Sequence, residues 1–122
     1  MQPADLHQRV ESAFNAGDVD ALIDLYEPDA RMLGEDGGVA SGVDAIRGVW
    51  AGFTALGGQI SMATRYVVEA GDLALLSNAW TFEMDGAPVA SSITAEVARR
   101  QADGSWRYLI DNPYGTPADT VG

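Results

Sequence analysis

Cysteine is absent from the chain and histidine occurs once, at His7. Without a thiol there is no disulfide, no thiolate metal site and no cysteine nucleophile, and one imidazole alone does not make a metal centre, so no metal is expected. Lysine is absent too, so seven arginines face 18 acidic residues and leave a formal charge of −11. Such a surface repels phosphate backbones and anionic lipid, which argues against nucleic-acid and membrane partners. The acids are scattered, none with calcium-loop spacing, and read as a solubilising surface. No apolar run reaches the ~18 residues of a membrane span. The opening Met1-Gln2-Pro3-Ala4-Asp5 has neither the basic nor the apolar region of a signal peptide, so a cytoplasmic location is the expectation.

What the chain does have is a large apolar share, 47%, with three Trp, four Tyr and three Phe in 122 residues. That suffices for one core, and residues 1–122 are expected to form a single domain with a tail fraying from about residue 116. Leu6, Val10, Ala13 and Phe14 recur at helical spacing and predict a helix from Ala4 to Ala16, stopped by Gly17. Asp18 is placed to cap a second, short helix carrying Ala21, Leu22, Leu25 and Tyr26, which Pro28 terminates. Ala30 to Leu33 reads as a short strand and Gly34 to Gly38 as a loop. Ser41-Gly42-Val43-Asp44 has capping-box spacing, opening a helix with Ile46, Val49, Trp50 and Phe53 on one face and Gly57-Gly58 at its end. From Gln59 the period falls to two. Four strands are expected, Gln59–Ala70, Leu73–Met84, Ala87–Gln101 and Trp106–Asn112, joined by hairpin turns. Helices first and strands after predict an α+β fold, an antiparallel sheet with helices on one face.

Alternation then assigns faces. Ala74, Leu76, Asn78, Trp80, Phe82 and Met84 are expected inward, with Val89, Ser91, Ile93, Ala95 and Val97 on the next strand and Trp106, Tyr108, Ile110 and Asn112 on the last. Glu96, Arg100, Arg107 and Asp111 then point out, unless a bulge near the end of the last strand turns Asp111 inward. Asn78, Ser91 and Asn112 are the polar exceptions on the inner face; each either bonds backbone or buried water, or contacts a ligand. His7 sits at the edge of the first helix's apolar stripe, either a partly exposed side chain or a catalytic group lacking a visible carboxylate partner. The many aromatic rings around a curved sheet predict an apolar pocket.

Asn15-Ala16-Gly17-Asp18, Leu25-Tyr26-Glu27-Pro28-Asp29-Ala30, Ser41-Gly42-Val43-Asp44-Ala45-Ile46-Arg47, Gly71-Asp72-Leu73-Ala74 and Asp103-Gly104-Ser105-Trp106-Arg107 together resemble the NTF2-like superfamily, nearest its SnoaL-like, ketosteroid-isomerase-like branch. The resemblance spans about residues 5 to 114. It implies a cone-shaped curved antiparallel sheet closed by three helices from the N-terminal half, a deep pocket at its open end, and a homodimer through the sheet's outer face. On this chain the outer row Leu73, Leu75, Ser77, Ala79 and Thr81 is mixed enough to serve.

The superfamily's enzymes isomerise, hydrate, dehydrate or cyclise small apolar molecules without a cofactor. Steroid isomerisation in that family uses a tyrosine and two aspartates. The matching positions here are Val10, Gly34 and Ala95, or outward Glu96 after a one-residue slip, so those groups are missing. The expected function is a pocket protein for a small apolar ligand, a cofactor-independent isomerase, cyclase or hydrolase; the alternative is a non-catalytic ligand-binding or dimeric assembly module. The expected lining is Tyr26, Met32, Trp50, Asn78, Trp80, Phe82, Ser91, Ile93, Tyr108 and Asn112, with His7, Asn78 and Asn112 as catalytic candidates.

Overall fold

A computed structural model of the chain describes residues 1–115; the tail expected to fray from about 116 lies outside the described residues. The first helix, α1 (Asp5–Asn15), buries Leu6, His7, Val10, Ala13 and Phe14. Gly17, at φ 70°, turns the chain into α2 (Val19–Ile23), which Asp18 caps by accepting the Ala21 N–H at 3.0 Å.

Two expectations fail next. The second helix does not run to Tyr26: it ends at Ile23, and Tyr26–Leu33 is a strand, β1. Pro28 lies where the pairing register of β1 shifts, a place that tolerates a residue with no N–H to donate. The capping box also fails. Ser41 belongs to a short strand, β2 (Val39–Ser41), and Gly42 at φ 86° precedes α3 (Val43–Thr54) with no side-chain cap.

Strands β3 (Gln59–Ala70) and β4 (Leu73–Met84) form a long antiparallel pair. The next segment, expected as one strand from Ala87 to Gln101, breaks at Thr94 into β5 (Ala87–Ile93) and β6 (Ala95–Arg100), both paired to β4. β7 (Trp106–Asn112) returns along β6. The sheet runs β2-β1-β7-β6-β4-β3, with β5 beside β4. One pair, β1 with β7, is parallel, so the sheet is mixed rather than wholly antiparallel. The architecture is α+β, a curved open sheet with three helices.

A polar zipper fixes α1 along the edge strand β3. Asn15 donates to the Ile60 carbonyl at 2.9 Å and accepts the Ile60 N–H at 2.8 Å, and Glu11 accepts the Met62 N–H at 2.7 Å. One turn earlier on the same helix face, His7 meets Thr64 at 2.7 Å. Side chains four apart on the helix meet residues two apart on the strand, which satisfies edge groups that would otherwise seek another chain.

At Gly58 the backbone runs so close to β4 that an added Cβ would lie 2.4 Å from the Phe82 ring and 2.6 Å from the Glu83 carbonyl. Gly58→Ala is expected to destabilise the protein by about 1–3 kcal/mol, because an overpacked site must push a ring or a strand aside. Urea denaturation reads this directly, and an unchanged midpoint would contradict the packing described.

Candidate functional site

Between the helices and the inner sheet face lies a cavity of about 330 Å³. Its walls are apolar and aromatic: Phe14 packs edge-on against both Trp50 and Phe82 with ring centroids 5.8 and 5.9 Å apart. Tyr26, Met32, Trp50, Trp80, Phe82 and Tyr108 all line it.

The other expected lining residues lie elsewhere. Ser91 and Ile93 pair with Thr81 and Ala79 and open onto the outer side of the sheet, Ile93 being 45% exposed. Asn112 is turned away into the loop after β7, where its amide donates to the Gly115 carbonyl at 2.9 Å and accepts the Tyr114 N–H at 3.2 Å. Asn78 is fully buried behind the cavity wall rather than on it. His7 is buried as well, also behind the wall.

The face assignment of residues 87–101 is inverted, and the reason is visible in the register. Leu76 on the inner face of β4 pairs with Glu96, and Ala74 with Ala98, so the even-numbered residues of β6 face in. Val89 is exposed and Val97 points to the outer face. On β7, Tyr108 pairs with Ala98 but Ile110 with Val97, so Leu109 is an extra residue, a bulge that reverses the alternation. Beyond it Ile110 is 48% exposed and Asp111 is buried. Glu96 and Asp111, both expected outward, are cross-strand partners and both line the cavity.

Each carboxylate has its own support. Glu96 Oε1 meets His7 Nε2 at 2.5 Å, and its Oε2 accepts the Asn78 amide N–H at 3.1 Å. Asn78 donates also to the Thr94 hydroxyl at 3.2 Å, and the other ring nitrogen of His7 contacts Thr64 on the exposed edge strand. Asp111 Oδ2 accepts the Tyr26 hydroxyl at 2.6 Å, and Trp50 Nε1–H donates to the Tyr26 oxygen at 3.2 Å. Asp111 lines the cavity, and its Oδ1 has no protein partner among the described residues.

Burial, and then the charge of Glu96, push the Asp111 carboxyl from its ordinary 3.8 up to about 7; the Tyr26 hydrogen bond opposes them. Burial likewise raises Tyr26 and Tyr108 well above the usual phenol value, so both keep their hydroxyl protons. Between about pH 4 and about 7 the folded protein therefore holds a proton on Asp111 that the unfolded chain releases. The stability tied to this residue is full below that window, falls as pH rises through it, and is level above it. The difference between the urea stability curves of the wild type and Asp111→Asn is expected to show that slope; parallel curves would contradict the raised value.

Among the described residues no three His, Asp or Glu side chains gather into a metal-binding group, and no helix is long and apolar enough to cross a membrane. The legible signal for the missed pair was a polar one. On 90–98 the even positions include Thr94 and Glu96 while the odd ones are mostly apolar, and a strand that turns polar groups inward beside aromatic partners is lining a site rather than filling a core.

The family model for the SnoaL-like domain matches residues 7–109. Among solved structures, an NTF2-like protein with a cystatin-like fold from Novosphingobium aromaticivorans is 20% identical with a TM-score of 0.76, covering 95% of this chain and 80% of that one. A ketosteroid isomerase-like protein from Erwinia carotovora atroseptica is 21% identical with a TM-score of 0.65, covering 89% of each chain. A domain of unknown function with a cystatin-like fold from Nostoc punctiforme is 16% identical with a TM-score of 0.80, covering 98% of this chain and 82% of that one. At these identities the likeness is one of fold. No curated protein matches the chain.

Proposed function

The chain belongs to the SnoaL-like domain family, within the NTF2-like superfamily, and on that premise we propose a cofactor-independent proton-transfer enzyme for a small apolar substrate, with Asp111 as its general acid/base. The observation that carries the reading is a buried carboxyl, Asp111, lining an apolar cavity with one oxygen held by Tyr26 and the other without a protein partner among the described residues.

A general base works best when its proton affinity lies near the working pH, and the burial of Asp111 together with the charge of Glu96 brings it there. Ionised, Oδ1 takes a proton from carbon beside a carbonyl, from a hydroxyl or from a water; protonated, it returns one to another atom of the bound molecule. Isomerisation is that exchange alone; in cyclisation and hydrolysis the same group would deprotonate the carbon or water that attacks and return the proton to the oxygen or leaving group that receives the electron pair. Tyr26 fixes the carboxyl by donating to Oδ2, and Trp50 fixes Tyr26. Glu96, with His7 on one oxygen and Asn78 on the other, has no oxygen free of a protein bond and acts as the fixed charge beside Asp111.

Deuterium incorporation at the α-carbons of a panel of small alicyclic ketones, incubated with the protein in D2O and followed by mass spectrometry, tests the proposal without knowledge of the natural substrate. Exchange above the buffer rate is expected. Exchange no faster than buffer across the panel would return the chain to the alternative, a module that binds without turnover.

We also propose a homodimer through the outer sheet face. Val68, Leu75, Val97 and Ile110 are successive cross-strand neighbours over β3, β4, β6 and β7 and form an apolar row, three of them more than 40% exposed. Ser77 drops out of the expected row, since it is buried with its hydroxyl donating to the Thr94 carbonyl at 2.6 Å. Sedimentation equilibrium is expected to give twice the 12.9 kDa chain mass, and Leu75→Glu to give the monomer. A wild-type monomer would end the dimer proposal and leave the cavity untouched.

A further inference from the structure

We infer that the ligand of this cavity carries a cationic nitrogen, an ammonium group on a compact apolar frame. This deepens the reading of the cavity as the substrate site and rests on it.

The groups along the cavity surface that ionise near neutral pH are all carboxyls. Asp36 lies in the loop between β1 and β2, while Glu96 and Asp111 sit side by side on the sheet; Tyr26 and Tyr108 stay neutral. None of the seven arginines lines the cavity, and His7 reaches only the back of Glu96. Tyr114, which also lines the cavity, feels the charges of Glu35 and Asp36. An anionic ligand would have to approach Asp36 and Asp111, neither of which meets an arginine, in a cavity whose walls carry none. A cation would be drawn towards the same groups.

The pair of buried carboxylates is also unevenly served. Glu96 has a histidine contact and an amide, whereas Asp111 has a single hydroxyl and, among the described residues, one oxygen without a protein partner. A buried carboxylate without a counter-charge is costly, and an ammonium group beside the Asp111–Glu96 pair would supply one. Trp50, Trp80 and Tyr108 line the surrounding walls, and aromatic rings attract a desolvated cation further. At a liquid-like ~30 Å³ per small group, the cavity holds roughly ten non-hydrogen atoms, so the frame is of monocyclic size.

Three probes of nearly equal shape test this: cyclohexylmethylamine, cyclohexylmethanol and cyclohexanecarboxylate. Binding to the full chain would be followed by tryptophan fluorescence and calorimetry, at physiological ionic strength so that exposed acids are screened, and at a pH above 7, where Asp111 is ionised. The amine is expected to bind roughly tenfold or more tighter than the alcohol, and the carboxylate more weakly than either. In Asp111→Asn the amine-to-alcohol ratio is expected to fall to about one while the alcohol still binds. A measurement that needs no variant is the Asp111 side-chain carboxyl 13C shift at neutral pH, which should move to the ionised position with the amine and not with the alcohol.

An amine that binds no tighter than the alcohol, a preference that survives Asp111→Asn, or an unmoved carboxyl shift would overturn the inference. These readouts are independent of turnover. Ketone exchange without the amine preference would sink only the ligand class, and the preference without exchange would sink only the catalytic reading.

Discussion

Asp111→Asn is expected to lower ketone α-proton exchange by two to four orders of magnitude, roughly the contribution of one positioned acid/base group, while the protein stays folded. Asparagine keeps the shape and can still accept the Tyr26 hydroxyl through its amide oxygen, but it cannot take a proton at neutral pH. It also removes a buried carboxyl whose ionisation is costly, so any loss of activity is not explained by unfolding. In the wild type the rate should rise with pH and level off above about 7, as Asp111 loses its proton. Glu96→Gln deletes the neighbouring charge and is expected to move that inflection downward. Exchange surviving within tenfold in Asp111→Asn, or an inflection indifferent to Glu96→Gln, would remove Asp111 from the role assigned to it.

How much of this was legible in the sequence depends on whether pattern and burial agreed. They agree on β4, where Ala74, Leu76, Trp80 and Phe82 alternate and are buried, and on α1 and α3, whose apolar stripes mark the core-facing sides. Along 87–101 they disagree. The apolar residues Val89, Ile93 and Val97 sit on the outer side, and the inner side carries Thr94, Glu96 and the small Ala98. A rule that sends apolar groups inward must invert such a strand, because here the inside is a site and the outside is an apolar row. On β7 the alternation is correct up to Tyr108 and fails after the Leu109 bulge, which is a property of the pairing rather than of any residue type. His7 stands out in the sequence, but its partner does not: Glu96 lies 89 residues away, and alternation from Val97 turns it outward.

The His7–Glu96 contact, at 2.5 Å and buried on both sides, is where the largest loss of stability is expected. His7→Leu leaves Glu96 in the core with only the Asn78 amide and removes the link to Thr64. Breaking one side of a buried pair typically costs about 3–5 kcal/mol, because the remaining group stays out of water without its partner. Over 122 residues that would lower the melting temperature by more than about 10 °C. The double variant His7→Leu/Glu96→Met removes both polar groups at similar volume and is expected to be more stable than His7→Leu alone, with a coupling of about 1–3 kcal/mol. A His7→Leu cost under about 1 kcal/mol, or strict additivity in the cycle, would show that the two side chains merely touch. The expected cycle also separates stability from function: a hydrophobic substitute would hold the fold equally well, but it would leave Asp111 without the neighbouring charge that helps bring its proton affinity into the working range.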